Sequence, residues 1–303
     1  MTRIHHYRLC GLMVSSAFEL PAAAAVAACN ADVTITRGAA PAALPRSVRT
    51  GVNWQADERA LLLDVSPEIR FLVQDGTSIV VDAAPHADPD EIALWLTGSG
   101  IGAILHQRGR LVLHGSAVLL GDRAAMFCGA SGAGKSTMAA ALAARGFATI
   151  CDDVCALEPA LAPYLHTDGR KLKLFEDSLA ALGLESRRAG AVHKRLTKHY
   201  VTPPAPAHSG PYPLCALYLL ESGADFALEP VKGTRALFAL REQTYRPQLV
   251  DLFGHEGSFL RYSMAALPQL PVFRLRRPDA LDALPQVLDR LITCWRDAGL
   301  LSL

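Results

Sequence analysis

The stretch Gly129-Ala130-Ser131-Gly132-Ala133-Gly134-Lys135-Ser136-Thr137 satisfies the phosphate-loop spacing G-x-x-x-x-G-K-[ST] in full. Its flanks agree with it: an apolar strand is expected over Ala124–Cys128, and a helix over Lys135–Arg145 that Gly146 stops. In that register the glycines turn backbone N–H groups toward an anion at a helix N-terminus. Lys135 would reach the outer phosphates of a nucleotide, and Ser136 would ligate Mg²⁺. A second glycine cluster, Gly98-Ser99-Gly100-Ile101-Gly102, falls inside a helical pattern rather than after a strand, and reads as close helix packing.

Working outward, Leu111–Leu120 is a further strand before the loop and Phe147–Cys151 another after the helix. This alternation of strand and helix predicts a parallel α/β sheet. Asp152 and Asp153 follow the Phe147–Cys151 strand, where carboxylates stand beside the phosphates. Two tasks there need carboxylates: one holds Mg²⁺ directly or through water, and the other accepts a proton from an attacking hydroxyl or water. General-base catalysis of that kind contributes on the order of 10²–10⁴ in rate. His114, in Leu113-His114-Gly115-Ser116, lies on the preceding strand.

Upstream, residues 7–15, 32–37, 60–65, 69–73 and 78–83 are short runs rich in Val, Ile, Leu and Phe, and Gln74-Asp75-Gly76-Thr77 supplies a hairpin turn. Asp88-Pro89 starts a helix that carries Ile92, Leu94, Trp95, Ile101, Ile104 and Leu105. The expected organisation is a small β-rich domain over 1–87 and a catalytic domain over 88–303. Downstream, Val201–Tyr212 is proline-rich and expected as an exposed loop, and Leu214–Leu220 as a buried strand. Leu281, Leu284, Leu288, Leu291, Ile292 and Trp295 form a helical packing stripe.

Composition limits the function. The 303 residues are 50% hydrophobic, which excludes a disordered chain. Lys and Arg number 30 against 29 acids, so no overall field exists to hold a nucleic acid. No apolar run reaches the roughly 20 residues of a membrane helix, and no membrane partner is expected. Arg3 and Arg8 precede a weakly apolar Cys10–Cys29 stretch, but Glu19 and Pro21 interrupt it, so no secretion signal is expected. Seven Cys without framework spacing fit reduced thiols and a cytoplasmic protein. Cys151 and Cys155 read as small residues of a buried strand rather than a zinc site. Arg187, Arg188, Lys194, Arg195 and Lys198 make the one basic stretch, either a solvated loop or a flap that grips phosphate or carboxylate.

The succession His114-Gly115, Gly129-x-x-Gly132-x-Gly134-Lys135-Ser136, Arg145-Gly146 and Asp152-Asp153 resembles, in order and spacing, the catalytic core of the bacterial HPr serine kinase/phosphorylase family. The resemblance covers roughly residues 111–158. It implies an α/β P-loop core akin to phosphoenolpyruvate carboxykinase, with ATP and Mg²⁺ as cofactors and a protein serine as acceptor. By position it implies that Gly129 to Thr137 hold the nucleotide and that Ser136 and Asp152 serve the metal. Asp153 resembles the base toward the serine, and His114 a catalytic-site residue near the phosphates. The family's further metal ligand and catalytic arginine lie downstream, where Glu176 or Asp177, and Arg241 or Arg235, are candidates. The N-terminal unit differs from that of the HPr kinases, and no copy of their downstream signature loop is present.

The whole layout is closer to the HPr-kinase-like enzymes that phosphorylate lasso peptide precursors. Lys171-Leu172-Lys173-Leu174-Phe175-Glu176-Asp177-Ser178-Leu179-Ala180-Ala181-Leu182-Gly183 and Thr244-Tyr245-Arg246-Pro247 support that similarity. The expected function is therefore an ATP- and Mg²⁺-dependent serine kinase acting on a peptide or small protein, and the family precedent implies a homo-oligomer. HPr itself as acceptor, a slow ATP-hydrolysing sensor and a small-molecule kinase are the alternatives, because one P-loop scaffold hosts them all.

Overall fold

The computed structural model describes residues 3–28, 30–46, 49–158, 160, 163–168, 170–194, 196–207 and 210–301. The first part of the chain builds a sheet from β1 (His5–Leu9), β2 (Leu12–Ser16), β3 (Ala24–Ala25), β4 (Val33–Arg37), β5 (Arg49–Thr50), β6 (Trp54–Ala56), β7 (Ala60–Ser66), β8 (Ile69–Gln74) and β9 (Ser78–Ala83). Their order is β3-β1-β2-β4-β9-β8-β7-β6-β5. The expected run over 7–15 is two strands, because Cys10 and Gly11 both take positive φ and fold it into a β1–β2 hairpin. Asp75 and Gly76 likewise take positive φ and join β8 to β9, as the Gln74–Thr77 signal predicts.

Asp88 accepts a hydrogen bond from the Asp90 N–H and starts α1 (Pro89–Trp95). The helix continues through a π segment (Leu96–Gly100) into α2 (Ile101–Gln107). Gly98 and Gly102 let this helix lie against the Tyr245 ring: a Cβ on Gly102 would come within 2.7 Å of the ring. Ile92, Leu96, Ile101, Ile104 and Leu105 share one apolar core with Val14, Ile35, Phe71 and Ile79 of the first sheet and with Val112 and Val154 beyond it.

The second sheet contains β10 (Leu111–Leu120), β11 (Arg123–Cys128), β12 (Thr149–Glu158), β13 (Tyr164–Leu165), β17 (Tyr212–Ser222), β18 (Ala227–Val231) and β19 (Val272–Arg277). Its order is β11-β10-β12-β13-β17-β19-β18, and β11 also pairs with β17, so five of the strands form a closed ring. The expected parallel sheet is instead mixed. Only β11–β17 and β17–β19 are parallel, whereas β10 runs antiparallel to both β11 and β12. The cause is local: Gly121, at positive φ, closes a tight β10–β11 hairpin, and antiparallel neighbours need no crossover helix.

Strand alternation sets the two sides of the ring. Ala124, Met126 and Cys128 face Leu113, Cys155 and Leu217, while Ala125 and Phe127 face Met138 and Leu142 of α3 (Lys135–Ala144) and Leu288 and Trp295 of α8 (Leu284–Asp297). The C-terminal stripe is thus a packing face, and Trp295 Nε1 donates to Tyr218 Oη at 2.7 Å. Of the loop expected over Val201–Tyr212, residues 208 and 209 lie outside the described residues, and residues 201–207 are less exposed than expected, because Ala205 and Ala207 exchange backbone hydrogen bonds with Thr149 of β12. The small third sheet has the order β14-β16-β15, from β14 (Leu172–Phe175), β15 (Arg188–Ala191) and β16 (Lys198–Val201). Among the described residues the remaining α-helices are α4 (Glu176–Ala181), α5 (Thr234–Glu242), α6 (Gln248–Leu252) and α7 (Glu256–Ala266). Among the described residues no helix is long and apolar enough to cross a membrane.

Candidate functional site

The Gly129–Thr137 stretch is the turn between β11 and α3, the strand–loop–helix context its sequence predicts. Gly134 caps α3 at φ 85°, a left-handed conformation that suits glycine. A Cβ there would also stand 2.4 Å from Arg277 Nη2, which donates to the Ala133 carbonyl at 2.8 Å. Lys135 is buried, and its Nζ donates to the Gly129 and Ala130 carbonyls at 3.0 Å each. Burial holds its ammonium below the ordinary lysine value, against the opposing pull of Asp152 and Asp153.

A pocket of about 390 Å³ opens in front of this turn. Besides loop residues it is lined by His114, Asp152, Asp153, Lys173, Asp177, Lys198 and Arg277, with Phe175, Ala280, Leu281 and Leu284 at an apolar side. Asp152 and Asp153 do not terminate their strand, as the sequence suggests. β12 runs on through them to Glu158 because it pairs with β10 along its length, setting Ser116 opposite Asp152 and Gly115 opposite Asp153.

The two carboxylates have different surroundings. Asp152 Oδ1 accepts from Ser116 Oγ at 2.6 Å and Ser136 Oγ at 2.8 Å, and its Oδ2 accepts from the Lys173 N–H at 3.1 Å. Asp153 is held by charge: Lys173 Nζ lies 2.7 Å from Oδ2, and His114 Nε2 lies 3.4 Å from Oδ1. Burial alone would raise the Asp153 carboxyl, but Lys173 and His114 outweigh it and hold the group well below the usual carboxylate range. Its backbone sits at φ 74°, a region that costs a non-glycine residue energy and clusters at functional sites. The His114 ring meets the Tyr245 ring edge-on, with centroids 5.9 Å apart.

The donors suit a magnesium nucleotide. Ser136 and Asp152 together offer a hydroxyl and a carboxylate oxygen, the sparse hard-oxygen set that Mg²⁺ completes with water and phosphate. Among the described residues no cluster of three or more His, Cys, Asp or Glu side chains could hold a metal by itself. Arg277 Nε is buried at the pocket with no partner, a donor left for an anion.

Other sequence candidates stand elsewhere. Glu176 turns away from the pocket and pairs with Arg188 and with His199, while its neighbour Asp177 lines the pocket. Arg241 pairs with Asp251 at 2.6 Å and lies over the Phe259 ring, and it does not line the pocket; nor does Arg235. The basic stretch contributes Arg188 to β15 and Lys198 to β16, with Arg187 in a 3-10 turn before them and Lys194 in the turn between. Within it Arg188 pairs with Glu176, Lys194 pairs with Asp88, and Lys198 reaches the pocket, while Arg195 lies outside the described residues. Cys151 and Cys155 are buried with their sulfurs 3.2 Å apart, as residues of the ring interior. Cys29 lies outside the described residues.

Sequence reading did not single out Lys173 or Arg277 as site residues. Lys173 is the polar position between Leu172 and Leu174 of a short apolar strand, a signal that something polar faces it. Which group faces it depends on pairing between distant segments.

No family model matches the chain, and no curated protein matches it. Among solved structures the chain is similar to the Hpr(Ser) kinase/phosphatase from Coxiella burnetii, at 13% identity and a TM-score of 0.31, covering 62% of this chain and 97% of that one.

Proposed function

We propose that this protein is an ATP- and Mg²⁺-dependent kinase that phosphorylates a serine of a peptide or small protein. The observation that carries the reading is the juxtaposition of a glycine-rich turn, Lys135 and Ser136 with two unlike carboxylates across one pocket. The sequence resemblance to HPr serine kinases, and to the kinases of lasso peptide precursors in particular, supports a serine acceptor.

A magnesium nucleotide would supply the phosphoryl group if bound here. Loop N–H groups, Lys135 and Arg277 would neutralise charge on its phosphates. Ser136 and Asp152 would hold the metal. Asp153, with both oxygens oriented, accepts the proton of the acceptor hydroxyl at its carboxylate, and His114 steadies that carboxylate from the opposite side to Lys173.

The test is incubation of the protein with Mg²⁺, ATP and peptides encoded beside its gene, followed by mass spectrometry. A phosphorylated serine is expected. Steady ATP hydrolysis with no modified peptide would favour a sensor, and a labelled metabolite would favour a small-molecule kinase.

A further inference from the structure

We infer that Lys173 is a positioning residue of this site, one side chain and one N–H from a separate sheet that together fix both carboxylates. The inference rests on the kinase reading for the identity of the acceptor, but its geometry stands apart from it. β14 runs past β12 so that the Lys173 N–H reaches Asp152 Oδ2 at 3.1 Å while its Nζ reaches Asp153 Oδ2 at 2.7 Å. Among the described residues, the polar partners of the two carboxylates share no other residue. The two contacts separate the tasks of the pair: the main-chain donor completes a neutral hydrogen-bond set on Asp152, and the ammonium puts a full positive charge on Asp153.

Lys173 is itself fixed. It pairs with Tyr200 in the β14–β16 ladder, and its side chain is nine-tenths removed from solvent. Just before it, Arg170 donates to the Asp168 carboxylate at 2.8 Å with both side chains fully buried, and to the Thr97 carbonyl at 2.9 Å. The strand bearing Lys173 is therefore tied to the helix of residues 89–107. Asp153 needs such a clamp, because its left-handed backbone is not a conformation its own strand would select. An ammonium on one oxygen and His114 near the other leave the carboxylate a single orientation.

The test is made on the full chain with Lys173→Met, which keeps the backbone N–H to Asp152 and most of the stem while removing the charge. Both peptide phosphorylation and ATP hydrolysis are followed. A displaced base costs about 100-fold in kcat, with the KM for ATP changed by no more than about threefold. In Lys173→Ala, added alkylammonium ions restore part of the lost rate, which a residue that only packed would not allow. Lys173→Arg, which keeps the charge, is faster than the Met variant even if the latter folds poorly. A crystal structure of the Met variant shows the Asp153 carboxylate moved from His114.

Unchanged kcat in the Met variant, an Arg variant no faster than it, or an Asp153 that has not moved would each overturn the inference. If the wild-type protein hydrolyses ATP but phosphorylates no peptide, the kinase reading fails. The role of Lys173 is then still decided by hydrolysis and by the position of Asp153.

Discussion

The Gly129–Thr137 turn meets the pocket with a glycine-rich main chain followed by Lys135 and Ser136, while the opposite wall, from β10, β12 and β14, meets it with side chains held by hydrogen bonds and charge. The first wall needs only local sequence. Glycines at fixed offsets give the backbone its course, and Lys135 and Ser136 follow because they open the helix. The second wall is assembled from Asp152, Asp153, His114 and Lys173, which lie on three different strands. Its precision depends on register and on paired charges in a partly water-excluded place. In the proposed kinase one wall would recognise phosphate generically, and the other would select what happens to it.

Substitutions can separate these roles. The largest effect is expected at Lys135: Lys135→Ala weakens ATP affinity and lowers turnover by on the order of 10³-fold, since both depend on its charge at the phosphates. Measured ATP affinity and kcat that both stay at wild-type values would break the assignment of the turn. The opposite wall is expected to be as fragile in folding as in activity. Asp168→Asn leaves the Arg170 guanidinium buried without its counter-ion and costs about 3–5 kcal/mol, read by denaturant unfolding. Burial disfavours the Arg170 charge, and Asp168 more than offsets that in the native protein.

Behind that wall, His106 on α2 gives a stability dependence on pH. Burial lowers its imidazolium to about 4, although its Nε2 keeps a hydrogen bond to the Tyr245 carbonyl at 2.7 Å. The folded value lies below the unfolded one near 6.5, so the unfolded chain binds the extra proton first. The contribution is complete above about pH 6.5 and is lost as pH falls toward 4, amounting to about 3 kcal/mol across that window. His106→Gln should flatten this part of the stability–pH curve; an unchanged slope would assign it to other groups.

Smaller still, Gly102→Val forces a methyl-bearing Cβ into the Tyr245 ring and should cost about 1–3 kcal/mol. Its effect on the pocket comes through Tyr245, which stands beside His114. The smallest effect is expected at Arg241. Its half-exposed pair with Asp251 is worth no more than about 1 kcal/mol, and Arg241→Met should leave transfer within about twofold of wild type. A large loss of transfer with the fold intact would return Arg241 to the site.

The contrast between the walls also explains what the sequence made legible. The strand, the turn and α3 follow from residues 124–146 alone, as do the β8–β9 hairpin and the α8 stripe, because each is set by neighbours within a few turns of chain. The helix reading of Gly98 to Gly102 holds for the same reason, whereas the Tyr245 ring it lies against comes from far along the chain. The parallel sheet does not: antiparallel pairing of β10 is decided by the Gly121 hairpin and by which distant strand β12 meets. Asp152 and Asp153 were visible as a pair, but their mid-strand location and the positive φ of Asp153 were not. Lys173 and Arg277 lay hidden because a lysine in a short apolar strand and one of three arginines in β19 carry no mark of the partner they find. Glu176 and Asp177 are adjacent in sequence, and only the course of the backbone decides which of them faces the pocket.

In the proposed kinase, Asp153 would act on the acceptor while the glycine turn would hold the donor. One measurement addresses this most directly: Asp153→Asn, assayed in the same preparation for ATP affinity and for phosphate transferred to a serine peptide that the wild type modifies. The account predicts ATP affinity close to wild type with transfer reduced by about 10³-fold or more. Transfer at or near the wild-type rate would contradict it.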